Sequence, residues 1–160
     1  MIEVYGVDLG VRKAHFFGIG PDNETELFSA KLDKSQHRGF ELQKIFYLIN
    51  DHFKDVNAAF YIEEPPLAGM KNVRVFMKLA QISGVVAVAV PRKPEFVPVS
   101  EWKKQVVGKG NAKKEDIKSW LCEHYQYYSA QCERTDSDSQ DYSDAACLAI
   151  YGSKVLGIDI

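Results

Sequence analysis

The chain has 160 residues, 46% hydrophobic and 26% charged, which is the composition of a single globular domain and excludes a disordered chain. Twenty Lys and Arg against 22 Asp and Glu leave a net charge of −2, so the chain as a whole lacks the basic balance usual in nucleic-acid-binding domains. Cys122, Cys132 and Cys147 are odd in number and lack metal-ligand spacing, the N-terminus carries no secretion signal, and the longest apolar run, residues 85–90, is far short of the ~20 residues a bilayer needs.

An intracellular, reducing setting follows from that cysteine usage. In chain order, residues 2–7 and 15–19 read as strands, and Gly20-Pro21-Asp22-Asn23 supplies strong turn chemistry after the second. Residues 26–32 return as a third strand of an antiparallel meander. From Ser35, a candidate cap, the period becomes helical: Phe40, Leu42, Ile45, Phe46, Leu48 and Ile49 recur through about His52. Residues 58–62 form an almost uninterrupted apolar run, the mark of a strand buried on both faces, which stops at Glu63-Glu64-Pro65-Pro66.

A second helix is expected over residues 73–83, and residues 84–88 either end it or begin a strand. Residues 96–99 read as a short strand, after which Ser100 opens a basic segment. Helices are expected at 115–125 and 141–154, with a polar, mobile loop over 136–140 between them. Three strands, a helix, then strands alternating with helices predict an α/β fold: a mixed five-stranded sheet with helices on both faces, in a single domain over residues 1–160.

Four carboxylates stand at element ends. Asp8 closes the first strand, where it reads equally as a turn residue before Gly10. Glu63 ends the most apolar strand, where it reads equally as the point of emergence into solvent. Asp141 and Asp144, spaced i, i+3, share one face of the last helix's first turn, where acids also serve as caps. Taken together, two strand-end acids and two on one helical turn make an oxygen-only site for hard divalent cations. Close carboxylates repel unless a cation compensates them, and a pair of such ions suits phosphodiester hydrolysis. His15, His37, His52 and His124 show no ligand spacing, and neither a phosphate-binding glycine loop nor a serine-nucleophile elbow is present.

Residues 101–118 carry Lys103, Lys104, Lys109, Lys113, Lys114 and Lys118 against Glu101, Glu115 and Asp116. This is a local excess of positive charge in a chain that is acidic overall. Gly108 and Gly110 flank Lys109, so the backbone there can approach a ligand, and such lysines suit sequence-independent phosphate contacts. Trp102 would pack or stack beside them. A solvated lysine face is the plain alternative.

With both features in hand, the chain resembles the RuvC family of Holliday-junction resolvases, particularly its short phage-encoded members. Four blocks match in order: Gly6-Val-Asp-Leu-Gly10, Tyr61-Ile-Glu-Glu-Pro-Pro66, Val99-Ser-Glu-Trp-Lys-Lys-Gln-Val-Val-Gly-Lys-Gly-Asn-Ala-Lys-Lys-Glu115, and Asp141-Tyr-Ser-Asp-Ala-Ala-Cys-Leu-Ala149. The resemblance implies a ribonuclease-H-like fold and a homodimer acting on branched DNA in a bacterial or phage-infected host cytoplasm. It further implies nicking of four-way junctions with Mg²⁺, or Mn²⁺ in its place, at two ions per site. It places catalytic and metal-binding roles on Asp8, Glu63, Asp141 and Asp144, with Glu64 next in line. It places DNA contacts on Lys103 and Lys114, with Lys104, Lys109 and Lys113 beside them. Pro65-Pro66 stands where the bacterial resolvase has a wedging aromatic, a departure in how the junction would be opened.

On this reading Asp8 bridges the ions, Glu63 and Asp144 each complete one, and Asp141 orients the attacking water. The helix over 73–83, with Val75, Phe76, Leu79 and Ile82, is the candidate dimer interface. Rivals are another ribonuclease-H-like nuclease, RNA-processing or transposase-type, and a junction-binding module without catalysis. The transposase reading is weakened by the lack of a second domain.

Overall fold

Turn chemistry and strands buried on both faces of the sheet shape the first thirty residues of the computed structural model, which describes residues 1–32, 37–65, 72–125, 128 and 141–159. Strands β1 (Val4–Gly10), β2 (Lys13–Ile19) and β3 (Thr25–Lys31) form the antiparallel meander. Gly10 pairs with Lys13, so Val11 and Arg12 alone make the first hairpin turn. The second turn is a single 3₁₀ turn, Pro21–Asn23, in which Asp22 takes a left-handed conformation (φ 58°) that Asp tolerates better than most residues.

Helix α1 (Arg38–Phe53) is capped by His37, whose Nδ1 accepts from the Gly39 N–H at 3.2 Å. The expected cap at Ser35 lies outside the described residues. Strand β4 (Ala59–Glu63) runs parallel to β1, and β5 (Glu95–Val97) parallel to β4, giving the order β3-β2-β1-β4-β5. Helix α2 (Val73–Ala89) joins those two strands, with Asn72 Oδ1 accepting from the Arg74 and Val75 N–H groups at its start. Helices α3 (Val99–Val106), α4 (Lys114–His124) and α5 (Asp141–Leu156) follow. The loop expected at 136–140 lies outside the described residues.

The mixed sheet has helices on both faces, as expected. On one face α1 and α2 enclose Tyr5, Phe16, Ile45, Ile49, Phe53, Phe60, Ile62, Ile82 and Val86. On the other, α3, α4 and α5 enclose Val4, Phe17, Ile19, Tyr61, Trp102, Ile117, Leu121 and Leu148. Beside the first core, buried Glu41 accepts from Arg12 Nε at 2.8 Å and Arg38 Nη1 at 3.2 Å, and Arg38 also donates to the Val11 carbonyl at 2.7 Å. The Arg12 hydrogen bond is the main reason the Glu41 carboxyl is held below its ordinary range. This cluster clamps the turn that follows Asp8 onto α1.

Two readings of the sequence need correction. Residues 84–88 neither end α2 nor begin a strand; they continue the helix to Ala89. Ile82, Val86 and Ala89 fall on one buried stripe at helical spacing, which outweighs the roughly 1 kcal/mol that exposed Gly84 costs. The basic segment also opens with a helix, α3, that went unrecognised. Trp102 and Val106, spaced i, i+4, are its buried side and stand among exposed lysines.

Helix α5 lies against β1, and two glycines permit this. A Cβ on Gly6 would overlap the Ala145 carbonyl oxygen, and one on Gly152 would overlap the Tyr61 ring. The helix backbone therefore meets the sheet with no side chain between them at Gly6, which brings the first turn of α5 to the C-terminal ends of β1 and β4.

Candidate active site

On β1, Gly6 faces α5, so period-2 alternation points Asp8 to the same side. Glu63 is the last residue of β4, one beyond Ile62, which pairs with Val7. Asp144 stands one turn into α5. Carboxylate oxygens of Asp8, Glu63 and Asp144 all lie within 4.8 Å of one another, and each residue is half-buried. Three of the four acids singled out in the sequence thus converge from three separate elements. Asp141 is the first residue of α5, and its side chain lies outside the described part. Glu64 is exposed and outside the cluster, its N–H donating to the Val97 carbonyl at 2.9 Å.

The electrostatics of the cluster are those of a site built for positive charge. Burial, and then the neighbouring Asp144 carboxylate, push Glu63 up to about 7. A cavity of about 30 Å³ walled by Leu9, Pro65 and Leu79 adjoins Glu63. Lys103, the Trp102 indole and Lys114 act in the opposite direction, favouring the ionised form. The donor set is oxygen-only and carries surplus negative charge, which fits a hard divalent cation rather than a soft metal.

The basic segment lies beside these acids. Lys103 is half-buried, its ammonium donating to the Ala112 carbonyl at 3.0 Å, while Lys104, Lys109, Lys113 and Lys114 are exposed. Between α3 and α4 the chain turns at Gly108 with φ 86°, a left-handed conformation that glycine adopts without strain. Trp102 does not stack on a ligand. It is fully buried, with its indole N–H toward Glu63 but closing no hydrogen bond of ordinary geometry.

One set of residues near the acids was missed in the sequence. Asp8 pairs with His15 on β2, and His15 pairs with Ser29 on β3, so the three form a row across the sheet. A two-residue turn at Val11-Arg12 implies the first of these pairings, and placing that turn would have found it. Among the described residues, Cys122 and Cys147 are free cysteines. No helix among the described residues is long and apolar enough to cross a membrane.

Comparison with known proteins agrees with this geometry. The model of one family, described as crossover junction endodeoxyribonuclease RuvC, matches residues 24–151. That span includes Glu63, Lys103, Lys114, Asp141 and Asp144, while Asp8 lies outside it and joins the site through the fold. No curated protein sequence matches the chain. Among solved structures, Thermus thermophilus RuvC is similar over 97% of this chain and 96% of its own, at 16% identity and a TM-score of 0.69. T. thermophilus RuvC in complex with a Holliday junction substrate covers 99% and 98%, at 15% identity and a TM-score of 0.69. The yeast mitochondrial Holliday junction resolvase Ydc2 covers 92% and 75%, at 12% identity and a TM-score of 0.54. At these identities the structures establish a shared fold.

Proposed function

The chain belongs to the RuvC family of crossover junction endodeoxyribonucleases, and from that premise we propose that it resolves four-way DNA junctions by paired, Mg²⁺-dependent phosphodiester hydrolysis. The observation that carries this reading is the convergence of Asp8, Glu63 and Asp144 from β1, β4 and α5 beside a lysine-bearing helix pair.

Asp8, Glu63 and Asp144 would hold the divalent cations, two per site, with Mn²⁺ able to substitute and Asp141 as the fourth acid. When bound, a pair of such ions would supply an activated water and stabilisation of the leaving oxygen, with a 5′-phosphate and a 3′-hydroxyl as the products the family resemblance implies. Lys103 and Lys114, close enough to favour ionised Glu63, keep that carboxylate available to the cations and meet the DNA strand at the site. Lys104, Lys109 and Lys113 are exposed around the Gly108 turn, where contacts to phosphates need no particular base sequence. The aromatic wedge of the bacterial enzyme has no counterpart at Pro65, so junction opening relies on other residues.

A four-way junction has approximate two-fold symmetry, and two opposed cuts call for an isologous dimer. The exposed face of α2 supports one, although it differs from the set expected in the sequence. Ile82 is core and Leu79 walls the cavity beside Glu63, whereas Val73, Met77, Ala80, Gly84 and Val88 form a charge-free outward stripe. One sheet serving both cores supports a single nuclease domain over 1–160, acting in a bacterial or phage-infected host cytoplasm.

The test is cleavage of a mobile four-way junction in Mg²⁺ against EDTA, alongside flap, duplex and RNA–DNA hybrid substrates. Paired, symmetric nicks in the junction alone are expected. Preferential cutting of the hybrid would favour an RNA-processing nuclease, and binding without turnover in Mn²⁺ a non-catalytic module.

A further inference from the structure

We propose that His15, Ser29 and Tyr142 form a positioning relay that holds the first turn of α5, and with it Asp144, in register with Asp8. This inference rests on the reading of Asp8, Glu63 and Asp144 as a cation site.

The relay begins in the sheet. Asp8, His15 and Ser29 are successive cross-strand partners on β1, β2 and β3. Directly opposed residues share a face of the sheet with Cβ atoms about 4.5–5.5 Å apart, and this face is the one covered by α5. His15 is fully buried, and its Nδ1 lies 2.6 Å from Ser29 Oγ. Ser29 Oγ in turn lies 2.6 Å from the phenolic oxygen of Tyr142. The Tyr142 ring also stands edge-on to the imidazole, with centroids 5.0 Å apart.

Tyr142 is the second residue of α5, between Asp141 and Asp144. Polar contacts therefore run from the strand neighbour of one acid to the helical turn that carries another. The next residue has its own tether, Ser143 Oγ to the Tyr128 hydroxyl at 2.6 Å, but Tyr128 belongs to no strand of the sheet. The relay links the helix start to the meander that bears Asp8. Polar groups behind metal ligands orient them, and their loss typically weakens metal binding or activity 10–100-fold.

Tyr142→Phe keeps the ring and its edge contact while removing the hydroxyl; Ser29→Ala removes the middle member, and Ser29→Thr retains a hydroxyl. Mn²⁺ affinity of the DNA-free protein, measured by electron paramagnetic resonance, is the first readout, and single-turnover junction cleavage the second. We expect Tyr142→Phe and Ser29→Ala each to weaken Mn²⁺ binding by roughly tenfold, to slow cleavage comparably, and to leave junction affinity unchanged. Ser29→Thr should behave as wild type, and the double variant should lose no more than either single one. Unchanged Mn²⁺ affinity and cleavage rate in both single variants, whatever their melting temperatures, would overturn the relay. A wild-type protein that binds no Mn²⁺ would instead overturn the cation site on which it rests.

Discussion

Gly6 lies directly beneath Ala145, and a methyl group there would overlap the Ala145 carbonyl oxygen and crowd the Ala149 amide and the Leu148 Cβ. Backbone on both sides leaves nothing flexible to give way. Gly6→Ala must push α5 off β1, and overpacking of this kind typically costs about 1–3 kcal/mol. Because Asp8 and Asp144 sit on the two surfaces being separated, junction cleavage should fall further than stability does. Denaturant unfolding, together with cleavage assayed well below the melting transition, checks both.

Asp144→Asn keeps the shape of the side chain and removes a charge from the acid cluster. Nicking should drop to background while junction binding persists, since the lysines proposed to meet phosphate are untouched. A gel-shift assay paired with cleavage in Mg²⁺ reads both effects, and retained Mg²⁺-dependent nicking would remove Asp144 from the site.

Glu63 makes the metal-free protein pH-sensitive in a definite direction. Its carboxyl is raised from 4.5 to about 7 by burial and by Asp144. Between those values the native state holds a proton that the unfolded chain has released, so stability falls as pH rises across that window. Glu63→Gln should flatten the dependence of melting temperature on pH from 5 to 8. In the wild type the Mg²⁺ concentration that half-saturates cleavage should fall as pH rises towards 7, because the cation no longer displaces a proton.

The exposed lysines should separate by role. Lys109→Ala should weaken binding to all junction sequences alike and reduce the dependence of log K on log salt by about one unit. Lys114→Ala, which removes a charge that favours ionised Glu63, should in addition raise the Mg²⁺ requirement. Binding titrations from low to moderate salt distinguish the two.

Met77 is 53% exposed and Val88 70% exposed on the outward stripe of α2. Met77→Glu places a charge in that stripe without disturbing the core. Sedimentation should show a shift from dimer to monomer, and paired cuts in one junction should give way to single nicks. An unchanged dimer would place the interface elsewhere.

How far the chain could be read without its fold depends on the range of the signal. Asp8 at a strand end, Glu63 closing the most apolar run and Asp144 on the first turn of a helix are all marked by their immediate neighbours. The lysines of residues 101–118 are marked in the same way. Apolar runs and turn chemistry placed the five strands to within a few residues. Local signals failed where two of them overlapped: at residues 84–88, where β-branched residues carry a helical stripe, and at Trp102, where a buried anchor stands among lysines.

The candidate acids, the lysines and most element types were thus legible in the sequence alone, because capping, periodicity and charge are properties of adjacent residues. Tertiary structure decided which acids meet, because Gly6 and Gly152 admit the α5 backbone onto the sheet and carry Asp144 to Asp8 and Glu63. It also decided that Trp102 turns inward, that the outward face of α2 is Val73, Met77, Ala80, Gly84 and Val88, and that His15 stands between Asp8 and Ser29. Each of these depends on strand register or helix rotation. Both are set largely by packing between residues distant in the chain; of these features only the Asp8–His15 register also has a local source, the two-residue turn at Val11-Arg12.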